Sequence, residues 1–319
     1  MTIPGLFGPA VVGPVAGLAH MLDHPFMARA FESGTVIAAA CGLVGYFVVL
    51  RAQVFAGDAL SHVAFAGALL ALAIGVDLRV GLFGACVLFA VVMAALGPRG
   101  RPDDVVIGST FAWVLGLGVL FLSIYTTNSS GGSGTTGINV LFGSIFGLSP
   151  SQSAVATVVA IGLILVMVAI ARPLLFASID EDVAAAAGLP VRALGVGFLA
   201  VVGVTAGEAT QAVGALLLLG LISAPAAAAL RCTARPFPAM TLSAGVAVAS
   251  MWAGLTLAYA APILPPSFTI LAFATGAYLV AAVFPPLRRL TRATGPPATG
   301  SWSGRSAAPS GSPGPGLRR

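Results

Sequence analysis

Ala154-Val-Ala-Thr-Val-Val-Ala-Ile-Gly-Leu-Ile-Leu-Val-Met-Val-Ala-Ile-Ala171 is eighteen residues long and carries no charge. Wound as an α-helix it measures about 27 Å, close to the ~30 Å hydrocarbon thickness of a bilayer. A helix also pairs its own backbone groups, which hydrocarbon requires. The stretch does not alternate apolar with polar residues, as a membrane β-barrel strand would. Comparable runs occur at 32–50, 58–76, 80–97, 105–124, 153–172, 238–260 and 267–284, with a longer block at 193–230. The pattern predicts an all-α, polytopic transmembrane helical bundle of about eight or nine spans.

Composition agrees. Of 319 residues, 58% are hydrophobic and 8% charged, against roughly 25% charged in soluble domains. The net charge of +5 comes entirely from arginine, because the chain has no lysine. Without lysine there can be no phosphate-binding G-x-x-x-x-G-K-[ST] loop, so any nucleotide hydrolysis must belong to another chain. Arg51, Arg99, Arg101, Arg172, Arg192, Arg231, Arg235, Arg288, Arg289 and Arg292 fall on one side if the 193–230 block crosses twice. The positive-inside rule then predicts nine crossings with a cytoplasmic C-terminus. Arginines at span ends orient a membrane protein, and no nucleic-acid partner is expected.

The predicted organisation is a peripheral segment at 1–30, broken by Pro4, Pro9, Pro14 and Pro25, a transmembrane domain at 31–287, and a tail at 288–319. The Gly, Pro, Ser and Arg that dominate the tail predict cytoplasmic disorder. The start lacks the basic region of a cleaved signal. Residues 126–137 read as a flexible external loop. Cys41, Cys86 and Cys232 have no paired spacing and read as small packing residues.

Within Gly57-Asp58-Ala-Leu-Ser61-His62 the acid and the imidazole are four residues apart, so a helix puts them on one face. They suit a divalent metal as a half-site. The ordinary alternative has Asp58 capping the second span and His62 hydrogen-bonded inside the bundle. Ser61 reads as a supporting hydroxyl or a packing residue. Asp180-Glu181-Asp182 followed by four alanines, Gly188, Leu189 and Pro190 reads as a short capped helix outside the membrane, either a connector or a docking element. Gly207-Glu208-Ala-Thr-Gln211 reads as a break in an apolar block. Glu208 and Gln211 are then turn residues or line a pathway. His20, Asp23 and His24 have metal-like spacing in the peripheral segment.

Four blocks resemble the ABC-3 family, the membrane permeases of bacterial ABC importers for zinc, manganese and iron. They are Val48-Val-Leu-Arg51 with Gly57 to His62, Leu141-Phe-Gly-Ser-Ile145, Asp180 to Pro190, and Val213-Gly214 through Pro225-Ala-Ala-Ala. The resemblance runs from about Pro25 to Phe284. It implies a type II-like importer permease fold in the cytoplasmic membrane, with Asp58 and His62 lining the metal path. It implies no resident cofactor, the cargo being zinc, manganese or iron. Asp180, Glu181, Gly188, Leu189 and Pro190 would form the coupling helix that seats in a separate ATP-binding-cassette subunit, which supplies ATP hydrolysis. A homodimer fed by an extracytoplasmic metal-binding lipoprotein is the implied assembly. The chain departs from the family at Val63 to Gly67, where proline and glycine are usual, at Ser144, where asparagine is usual, and at Gly207-Glu208-Ala209, which looks like an insertion. A chelate-moving permease of the same fold and an ATP-independent transporter or channel are the competing readings.

Overall fold

The computed structural model describes residues 24–128, 143, 145–215 and 218–284. His20, Asp23, most of the 126–137 loop, Leu141, Phe142, Ser144 and the 288–319 tail lie outside these. The described residues form helices and turns without a strand. Ten α-helices follow in order: α1 Pro25–Leu50, α2 Val54–Ile74, α3 Leu78–Leu96, α4 Asp104–Asn128, α5 Pro150–Ile179, α6 Glu181–Ala186, α7 Val191–Val213, α8 Leu218–Cys232, α9 Pro236–Ala260 and α10 Pro266–Val283. Eight are long and apolar enough to cross a membrane; α6 and the 15-residue α8 are shorter.

The first span begins at Pro25, not after residue 30. Pro25 lacks an amide proton, and the first turn of a helix has no use for one. The carbonyl of His24 accepts from the amides of Met27 and Ala28. The proline read as a breaker is an initiator.

The 193–230 block does split, but at a different place. α7 runs unbroken through Gly207–Gln211 and stops at Gly214. Gly214 has φ 95°, in the left-handed region that favours glycine. From there α8 returns towards the arginine-rich end, where Arg231 reaches the hydroxyl of Tyr278 on α10 at 3.1 Å. At about 22 Å it is too short to span alone, and it packs on α1, α9 and α10.

The core lies along α1, which packs against α5, α7, α8 and α9. Small residues let these backbones approach closely, as membrane helices require when lipid supplies no hydrophobic drive between them. A Cβ added at Gly45 would overlap the backbone carbonyl of Ile222 on α8. Between α2 and α3, Gly67 and Gly81 each abut the other's carbonyl. Ser243 of α9 donates to the Gly42 carbonyl at 2.7 Å, so the hydroxyl is satisfied across the interface.

Glu208 is part of this interior. It is 2% exposed on α7, with both carboxylate oxygens lacking a hydrogen-bond partner. Gly207 beside it abuts the side chains of Leu82 and Phe83 on α3. It is therefore not a solvated turn residue.

Two outcomes are expected from thermal unfolding in detergent. Gly45→Ala should destabilise by about 1–3 kcal/mol, because the α1–α8 backbones must part. Glu208→Leu should unfold at or a few degrees above the wild-type temperature, since it removes an unpartnered buried acid. A clear drop would show that Glu208 has a bound partner.

Candidate functional site

α2 begins three residues before Gly57. Its cap is Gln53, and Asp58 is the fifth residue of the helix. The capping alternative for Asp58 is thereby removed. The early start follows from a tight turn after α1: the amides of Ala52 and Gln53 return to the carbonyls of Val49 and Val48. Ala52 adopts φ 53°, a conformation usually left to glycine.

Asp58 and His62 are both half-buried on one face of α2, while Ala56, Gly57, Ala59, Leu60 and Ser61 around them are buried. Gly57 faces Val202 of α7. His62 turns elsewhere, its ring edge-on to Phe111 of α4 with centroids 5.1 Å apart. Beside it a fissure of about 270 Å³ is lined by Phe65, Val114, Leu115 and Gly118. Ser61 donates to the carbonyl of Asp58 at 2.7 Å, so its hydroxyl is engaged within its own helix. One protomer thus offers an oxygen and a nitrogen donor at the surface of the bundle. Among the described residues no three of His, Cys, Asp and Glu gather closely enough to hold a metal ion. Glu208 and Gln211 belong to α7, with Glu208 sealed in the protomer interior and Gln211 half-buried.

The second feature lies at the arginine-rich end. Asp180 caps α6, its Oδ1 accepting from the amides of Asp182 and Val183 at 3.0 Å each. At the other end Gly188 has φ 83°. The amides of Gly188 and Leu189 return to the carbonyls of Ala185 and Ala184. This double closure is the Schellman arrangement, and Leu189 packs on a small cluster of Ala177, Ala184 and Val191. Leu189 and Pro190 also line an open cleft of about 860 Å³ with Arg99, Arg192 and Val196.

The acids of α6 turn towards the protein's own arginines. Glu181 Oε1 pairs with Arg101 Nη1 at 2.8 Å and lies 4.0 Å from Arg51 Nη2; its Oε2 lies 3.9 Å from Arg99. Asp182 pairs with Arg99 at 2.9 Å. Arg101 also donates to the carbonyl of Arg51 at 2.9 Å, and Arg51 to Ser178 at 3.2 Å. Arg51 is 2% exposed, with its guanidinium over the ring of Phe198. Burial, and then repulsion from Arg101, push it down to about 10, partly offset by Glu181. It therefore stays charged at neutral pH. Sequence reasoning used these arginines only to orient the chain. Arg172 and Arg192, on the same side as Arg51, Arg99 and Arg101, bracket the Glu181 segment in the sequence, which is the available sign that they meet.

The family model described as the ABC 3 transport family matches residues 23–285. The manganese transport system membrane protein MntC of Halalkalibacterium halodurans is 26% identical over 237 residues, 74% of this chain and 80% of that protein. The chelated iron transport system membrane protein YfeD of Yersinia pestis is 27% identical over 209 residues, 65% of this chain and 68% of that protein. The structure of PsaBC from Streptococcus pneumoniae in complex with Fab superposes with a TM-score of 0.76 at 24% identity, covering 88% of this chain and 100% of that chain. The helix order, the Asp58–His62 helix and the capped α6 thus sit within a match that covers every described span, and the chain belongs to the ABC 3 transport family.

Proposed function

We propose that this chain is the membrane-spanning permease of an ATP-binding-cassette importer in the bacterial cytoplasmic membrane, moving a divalent metal ion past Asp58 and His62. The observation that carries it is the setting of that pair. An acid and an imidazole stand partly exposed on the bundle surface, inside a span. Hydrocarbon is a costly environment for such groups, and something polar must cover them. A second copy related by a twofold axis supplies that cover and brings two Asp58 and two His62 to one path.

Mixed oxygen and nitrogen donors suit manganese, ferrous iron and zinc alike. The names of the relatives favour manganese or iron over zinc. The site holds its ion loosely, because a transit site must also release it. Two donors per protomer agree with that, no three of His, Cys, Asp and Glu gathering around an ion among the described residues. A metal chelate is the second reading, favoured by the name of the iron-transport relative. Energy comes from a separate ATPase subunit: α6 is a capped, protruding helix at the arginine-rich end, and the chain has no phosphate-binding lysine. An extracytoplasmic metal-binding lipoprotein delivers the cargo at the other end.

Manganese uptake by cells lacking their own permease and supplied with this chain and its ATPase and binding-protein partners tests the pair. Asp58→Ala and His62→Ala should each lower uptake at least about tenfold, the scale of one lost ligand interaction, with protein abundance in the membrane unchanged. Uptake equal to wild type in both variants would remove the pair from the mechanism.

A further inference from the structure

The arginine cluster joins α6 to the turn that starts the Asp58–His62 helix, and several of its features are those of a connection with two settings. Glu181 sits off-centre among three guanidinium groups: 2.8 Å from Arg101, but 3.9 and 4.0 Å from Arg99 and Arg51. Arg51 is buried, yet its Nε and Nη2 have no hydrogen-bond partner. Buried unpaired donors are costly, and a charge-assisted partner stands just beyond reach. The two non-glycine residues with positive φ among those described, Ala52 and Arg99 at 53° each, lie in the two turns that flank this cluster. Strained backbone persists where surrounding contacts hold it, and it gathers at elements that switch.

We propose that Glu181 is a positioning residue that passes from Arg101 towards Arg51 when α6 is displaced, so that movement of α6 is delivered to α2 and the Asp58–His62 pair. This rests on the permease reading above and deepens it: the acid of the coupling helix acts on its own chain rather than on the ATPase. Arg51 closes α1, and α2 begins three residues later. Asp58 follows Arg51 by seven residues, so a shift of the turn moves α2 from its base. Arg101 reinforces the link by holding both the Glu181 carboxylate and the Arg51 carbonyl. Arg99 and Asp182 hold the outer edge of the same cluster.

The test uses the complex with its ATPase and binding-protein partners in proteoliposomes, reading Mn²⁺ taken up per ATP hydrolysed. Glu181→Gln keeps shape and removes charge; its ratio should fall at least tenfold. Glu181→Asp keeps the charge on a shorter arm and should recover part of the ratio, which a merely structural role would not require. A wild-type ratio in Glu181→Gln overturns the proposal. If that variant does not assemble, Glu181→Asp and Arg51→Lys take its place, and wild-type ratios in both overturn it. Spin labels at Phe55→Cys and Ala186→Cys in a Cys232→Ser chain read the connection without transport. Their separation should hold when ATP binds to the wild-type complex and change in Glu181→Gln; an identical response in both overturns the proposal. A wild-type complex that moves no Mn²⁺ counts against the permease reading alone, and the labels then decide the link.

Discussion

Hydrocarbon tolerates charge poorly, and that constraint arranges nearly everything in this chain. Most arginines stand near the ends of spans, and two turns carry Arg51, Arg99 and Arg101 to the same place. Once Arg51, Arg99 and Arg101 converge there, their mutual repulsion must be offset. The acids that offset it come from α6, a helix of six residues that could not hold its place by apolar burial alone. The same constraint that orients the protein therefore also fixes α6 against the bundle.

Attachment by charge differs from attachment by packing. The α1–α8 and α2–α3 contacts are backbone against backbone, with glycine where a methyl group would collide. Such interfaces resist sliding, because close-packed surfaces do not deform continuously. The α6 contact consists instead of long side chains with several partners at unequal distances. It can rearrange at small cost while staying engaged. The bundle is thus held by backbone packing, and α6 by its caps, a small apolar cluster and a charge network.

The spans were legible because each is a run near bilayer length with few or no charges. The α6 caps were legible too, since Asp180 and Gly188 are residue types with a local role at a helix end. The errors came where one residue type serves two roles. Pro25 was read as a breaker but occupies the first turn of α1, where proline is favoured. The polar letters of Gly207–Gln211 suggested a break, whereas the break needs backbone freedom and sits at Gly214. Asp58 could cap or follow a cap, and only the turn at Ala52 decided it. The Glu181 partners were illegible, because which arginine meets which acid depends on how the turns stack.

Asp58 of α2 and Glu208 of α7 both lie well inside spans, and access separates them. Glu208 is 2% exposed in the interior of its own protomer, and Gly207 beside it abuts Leu82 and Phe83 of α3. The α3–α7 seam is held by Gly203 against the carbonyl of Cys86, a backbone contact of the resistant kind. Asp58 stands half-buried at the edge of α2, with an imidazole one turn above it and a fissure beside that imidazole. Transit asks for a donor that can be approached and left, which favours the accessible pair. Glu208, 2% exposed, offers no such approach in this arrangement of the helices.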